Sequence, residues 1–140
     1  LGREQEAREL LHKKLQEESP LPVIRCLGRA VLAALEGRRE DAVHESDAFL
    51  CGCRDPESLY YFARQFAFLG YETRALELLA EAGKKGYICF PAAARDPWMD
   101  PLRSNSEFAD LLRAAEARHR EATDAFLSAG GRDVLGVRST

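Results

Sequence analysis

The stretches LEGRREDAVHE (residues 35–45) and LGYETRALELL (residues 69–79) are rough copies of one another. Gly37 and Gly70 stand 33 residues apart, as do Ala42 and Ala75 and, further upstream, Ala30 and Ala63. A recurrence of this length between helix-forming runs constrains the fold strongly. Each unit is a helical hairpin that cannot bury its apolar faces alone, so neighbouring units must stack.

The rest of the chain follows that plan. Residues 3–18 carry Leu10, Leu11 and Leu15 at helical spacing, and Ser19-Pro20-Leu21-Pro22 stops the run. Apolar residues return at intervals of three and four from Val23 to Leu35. Gly37 then punctuates, and a second helix runs from Arg38 to Leu50. Asp55 is a good N-cap and Pro56 suits a first turn, which opens an aromatic-rich helix over 57–69. Gly70 ends it, and Thr73 to Ala82 is the clearest helix, closed by Gly83 and Gly86. The following stretch, with three prolines, leaves room for one short helical turn at Ala92–Arg95. Ser104-Asn105-Ser106-Glu107 has the form of a capping box and opens a last helix over 106–128. Gly130-Gly131 closes that helix, and the final residues read as frayed. No run alternates or is rich enough in β-branched residues to be a strand. The expectation is all-α, with about six longer helices.

Val23 and Pro56 open the two units, with a small alanine at the eighth place and a glycine at the fifteenth. On these positions the chain resembles the tetratricopeptide repeat (TPR) family. The segment PESLYYFARQFAFLGYETRALELLAEAGKKGY (residues 56–87) matches the family's alanines, glycine and large apolar places, with Tyr87 where proline is usual. The first unit, 23–55, departs at Arg29, Ser46 and Phe49. Residues 86–119 are similar to the tail that closes such arrays in many bacterial multi-domain signalling proteins. The resemblance implies a single helical-hairpin solenoid over residues 1–140, with repeat units at about 23–55 and 56–87. Helix 3–18 would cap one end, and the loop and helix over 88–129 the other. The chain begins at Leu1 rather than Met, and the expectation is a fragment of a longer protein.

Composition removes several function classes. Net charge is -3 with Lys and Arg interleaved among Asp and Glu, so nucleic acid finds no basic footprint. The apolar runs are too short for a membrane span. Cys26, Cys51, Cys53 and Cys89 sit in a chain with 46% hydrophobic residues, enough to fold without disulfides. The expectation is reduced, mostly buried thiols in a cytoplasmic protein. Cys51-Gly52-Cys53 lacks the spacing and the second pair of a structural zinc site, and His12, His44 and His119 are isolated. Asp96 and Asp100 read as N-cap and turn residues, and Trp98 as a plug pinning the irregular loop to the end of the helix stack. Arg38, Arg39, Glu40 and Glu72 read as solvated charges opening each second helix. No phosphate loop or nucleophile elbow is present, so the reading is no enzyme, no metal and no cofactor.

If Leu59, Phe62, Ala63 and Phe66 face inward, the neighbouring stripe of the same helix is Tyr60, Arg64 and Phe68. In the first unit the matching stripe holds Leu27, Val31 and Leu35. Arginine and aromatics give much contact energy per residue. The expected working surface is therefore a concave groove bearing Tyr60, Arg64 and Phe68, extended by Leu27 and Val31. Its partner would be a protein or peptide, including another domain of the same chain, with a homodimer as a further candidate. Two other readings stay open. One is a structural or dimerisation cap with the groove filled by helix 3–18. The other is a regulatory domain with a small ligand in the groove.

Overall fold

A computed structural model of the chain describes residues 3–17 and 22–136. Its elements are α1 (Glu4–Gln16), α2 (Pro22–Leu35), α3 (Arg39–Leu50), α4 (Pro56–Phe68) and α5 (Glu72–Lys84), followed by α6 (Phe90–Ala93), a 3₁₀ helix (Pro97–Leu102), α7 (Ser106–Ser128) and α8 (Gly131–Val134). The fold is all-α, with no strand among the described residues. No helix among them is long and apolar enough to cross a membrane. Ser19, Pro20 and Leu21 of the expected helix stop, and the last four residues of the tail read as frayed, lie outside the described residues. Just before those four, Gly131–Val134 forms a further helical turn rather than a frayed end.

The repeated glycines end α2 and α4 in the same way. Gly37 and Gly70 have φ of +75° and +80°, the left-handed region that glycine enters at no steric cost. The Gly37 and Gly70 N–H groups donate to Ala34 and Ala67 at 3.1 and 2.9 Å. Those of Arg38 and Tyr71 donate to Ala33 and Phe66 at 2.9 and 2.8 Å. This pairing reverses the chain and satisfies the last carbonyls of each helix. Hairpins α2–α3 and α4–α5 result. Ala30, Ala42, Ala63 and Ala75 are all fully buried, because an alanine at a crossing lets two helix backbones approach closely. Phe62, Phe66 and Leu79 fill the space around them. Arg39 is exposed, as expected, and its guanidinium also donates to the Leu69 carbonyl and lies 5.7 Å from the Tyr71 ring centroid, tying the first hairpin to the turn of the second.

The second helices begin at Arg39, Glu72 and Ser106, so α7 continues the spacing of α3 and α5. Between α5 and α7 stand α6 and the 3₁₀ helix, with Pro91, Pro97 and Pro101 keeping the segment from forming one regular helix. This irregular segment is nevertheless core: Ala93, Met99 and Leu102 are buried, as is Phe108 of α7. Its short helical turn lies at Phe90–Ala93 instead of 92–95. Cys89 is extended (φ -73°, ψ 97°), which puts Pro91 in the first turn, where its missing N–H costs nothing. Asn105, not Ser104, caps α7: its side-chain oxygen accepts from the N–H of Glu107 and Phe108 at 2.8 and 3.3 Å. Arg103 and Ser104 still belong to the exit of the 3₁₀ helix, so the extended residue a cap needs falls one place later. Asp55 caps α4 as expected, accepting from the Ser58 N–H at 2.7 Å.

All four cysteines are free thiols, but they are not mostly buried. Cys53 is buried, Cys26 half-buried, and Cys51 and Cys89 exposed. Cys51 lies in the turn after α3 and Cys89 in the link into α6, both outside the helix interfaces.

Candidate functional site

The core face of α4 is as the spacing requires: Leu59, Phe62, Ala63 and Phe66 are all buried. The adjacent stripe is not open along its length, because the segment between α5 and α7 lies across it. Asp96, at the N-cap of the 3₁₀ helix, accepts from Arg64 Nε at 2.6 Å and from Arg64 Nη2 at 3.3 Å. The same carboxylate accepts from the Trp98 N–H at 3.0 Å. The Trp98 ring stacks on Phe68, with centroids 4.5 Å apart and planes at 19°, and the Arg64 guanidinium lies 4.9 Å from the indole centroid. Trp98 does pin the irregular segment, but onto the side of α4, not at the end of the stack.

Of the expected groove residues, Phe68 is therefore covered on one face by an internal partner and remains 38% exposed. Arg64 is half-buried and ion-paired. Tyr60, expected on an open face, is only 4% exposed, because Tyr61 and Tyr87 pack edge-on against it at 5.9 and 6.0 Å. Next to Tyr60 and Arg64 a cleft of about 430 Å³ remains, walled by Tyr61, Tyr87, Cys89 and Arg95. Leu27 and Val31 belong elsewhere. They line a second cleft of about 280 Å³ beneath α1, with Leu11 and Leu15. Gly28 admits α1 there: a Cβ at that position would sit 3.2 Å from Leu15 Cδ2. The N-terminal helix thus covers the stripe of α2, whereas the 88–103 segment covers part of the stripe of α4.

Burial sets the state of the cleft's phenols. It pushes Tyr60 up to about 12, aided by the negative charge of Asp96. Burial, then the charge of Glu57, also pushes Tyr87 up to about 12. Both hydroxyls stay protonated, and that of Tyr60 has no hydrogen-bond partner. Because these folded values lie above the unfolded value of 10, their contribution is fully present below pH 10 and is lost as pH rises toward 12. Thermal melts should show a midpoint that falls across that window and falls less in Tyr60→Phe. A midpoint indifferent to pH there would contradict the burial of both rings.

The cleft offers arginine donors and aromatic surface. The thiol in its wall, Cys89, is exposed. His12 meets Glu36 at 2.8 Å, and His119 lies beside Phe90 at 6.1 Å. Among the described residues no group of three or more His, Cys, Asp or Glu side chains is placed to hold a metal ion. Tyr87 and Arg95 were not found by periodicity, since they lie outside the longer helical runs on which a face can be read. The reading of Trp98 as a plug that pins the irregular loop was the signal that this segment packs back on the helices. Comparison of the chain with protein-family models, curated proteins and solved structures finds no match.

Proposed function

We propose that the chain is a tetratricopeptide-like solenoid segment that acts without catalysis, holding a protein partner on the free face of α4. Two hairpins with equivalent glycine turns, alanines in register and a third second helix at the same spacing support the repeat reading. The observation that carries the binding reading is the cleft beside Tyr60 and Arg64, open on a helix whose opposite face is core. Aromatic and arginine side chains on a rigid helix lose little entropy when a partner docks. The site is smaller than the full stripe: Phe68 serves to seat Trp98, and Leu27 and Val31 serve α1. Exposed free thiols at Cys51 and Cys89 support a reducing setting.

The test uses Tyr61, a half-buried wall of the cleft. Wild-type protein and Tyr61→Ala serve as baits in lysate of the source cells, with melting measured in parallel. The expected result is retained folding with loss of the captured partner. Capture unchanged by the substitution overturns the reading. One observation favours a second reading, self-association: Leu10 of α1 and Ile24, which lines the cleft under α1, are 57% and 55% exposed.

A further inference from the structure

We infer that the outer face of α1 pairs with the same face of a second copy of the chain, the two helices running antiparallel about Leu10. The inference gives the self-association reading a specific contact, and it is independent of the cleft on α4. No residue of α1 is buried. Its inner face rests on α2 through Leu11 and Leu15, which meet Gly28. Arg8 shares that inner face by spacing and pairs with Glu4, and His12 is turned to Glu36. The face turned away carries Arg3, Glu6, Leu10, Lys13, Lys14 and Glu17, all of them exposed. Leu10, at its middle, is the large apolar residue with most surface in water on this helix.

The charges of this face invert about Leu10. Arg3 and Glu17 stand at equal distances on either side of it, and so do Glu6 and Lys14. A second α1 laid antiparallel with Leu10 on Leu10 therefore brings Arg3 level with Glu17 of the other copy. It brings Glu6 level with Lys14, with Lys13 on the same flank, and twofold symmetry repeats each pair. Laid parallel, the same face would set every charge against its own kind. The basic end also extends onto α2, because Arg25 lines the same cleft as Lys14, and there the second copy brings Glu6 and Glu9. Within one chain Arg3 is paired with Glu6, and Lys14 with Glu17 at 2.9 Å. Such exposed pairs hold weakly, so exchanging them for pairs between copies costs little. The ion pairs set orientation and register, and the apolar gain comes from Leu10 and from Ile24, which shares the cleft with Lys14. A helix of 13 residues is about 20 Å long, too short for an interface of standard size, so the dimer is weak and concentration-dependent.

The experiment is sedimentation velocity on the whole chain, from micromolar to millimolar protein at low salt. A shift from monomer to dimer with rising concentration is expected. Glu6→Lys and the double variant Lys13→Glu, Lys14→Glu should each weaken the dimer at least tenfold when alone, since like charges then meet. Mixed in equal amounts, these two variants should restore it, because each supplies the charge the other needs. Leu10→Gln, which opposes no charges, should also weaken the dimer. A monomer at every concentration overturns both this inference and the self-association reading. A dimer indifferent to these substitutions, or two weakened variants that do not recover on mixing, overturns the antiparallel α1 contact alone. Loss of the dimer in Tyr61→Ala, with the α1 variants unaffected, would mean that the copies meet through α4 and also overturns it.

Discussion

Replacing Phe62 by alanine is expected to destabilise the fold by about 3–5 kcal/mol, the usual cost of deleting a buried aromatic ring. Phe62 is fully buried on α4, and its ring stacks on Phe49 of α3 with centroids 5.3 Å apart. It therefore links the two hairpins. Domains of this kind are held by only about 5–15 kcal/mol, so the variant should be close to unfolding at ambient temperature. Urea titration followed by circular dichroism measures this directly. Phe68→Ala, on the same helix, should cost much less because Phe68 is 38% exposed. Similar losses at both positions would mean that α4 is not packed with the face described.

Met99→Ala is the second large effect, expected at about 2–5 kcal/mol. A methionine in a six-residue 3₁₀ helix between prolines would ordinarily be tolerant surface. Here it is fully buried together with Leu102, because the segment packs against α4. The chain has a single tryptophan, Trp98, next to it. Loosening the segment should therefore shift tryptophan emission to the red while helix content falls little. Loss of stability without any change around Trp98 would show that Met99 and the cover over Arg64 and Phe68 are independent.

How far the site was legible can be followed along α4. Periodicity separated Leu59, Phe62, Ala63 and Phe66 from Tyr60, Arg64 and Phe68, and the burial of the first four agrees. It could not distinguish the members of the second group from one another. Tyr60 is buried by Tyr87, Arg64 is held by Asp96 and Phe68 is covered by Trp98. These partners lie 27, 32 and 30 residues further on. A helix-face argument uses neighbours three and four residues away, so it has no access to them. Ser104 illustrates the same limit at short range. The capping-box pattern is present, but the preceding 3₁₀ helix shifts the extended residue to Asn105.

What the sequence determined by itself is whatever a few consecutive residues decide. That includes the helices, the reversals at Gly37 and Gly70 where a left-handed φ is required, the Asp55 cap before Pro56, and the small residues at the crossings. Each depends on local backbone sterics or on spacing along a single helix. Only the tertiary structure decided which surfaces remain free. It laid α1 over Leu27 and Val31 and folded the proline-broken segment onto α4. It thereby reduced a stripe of three residues to one cleft beside Tyr60 and Arg64. That choice is set by burial of Met99, Leu102 and Trp98 against helices distant in sequence, a gain that appears only once those helices have packed.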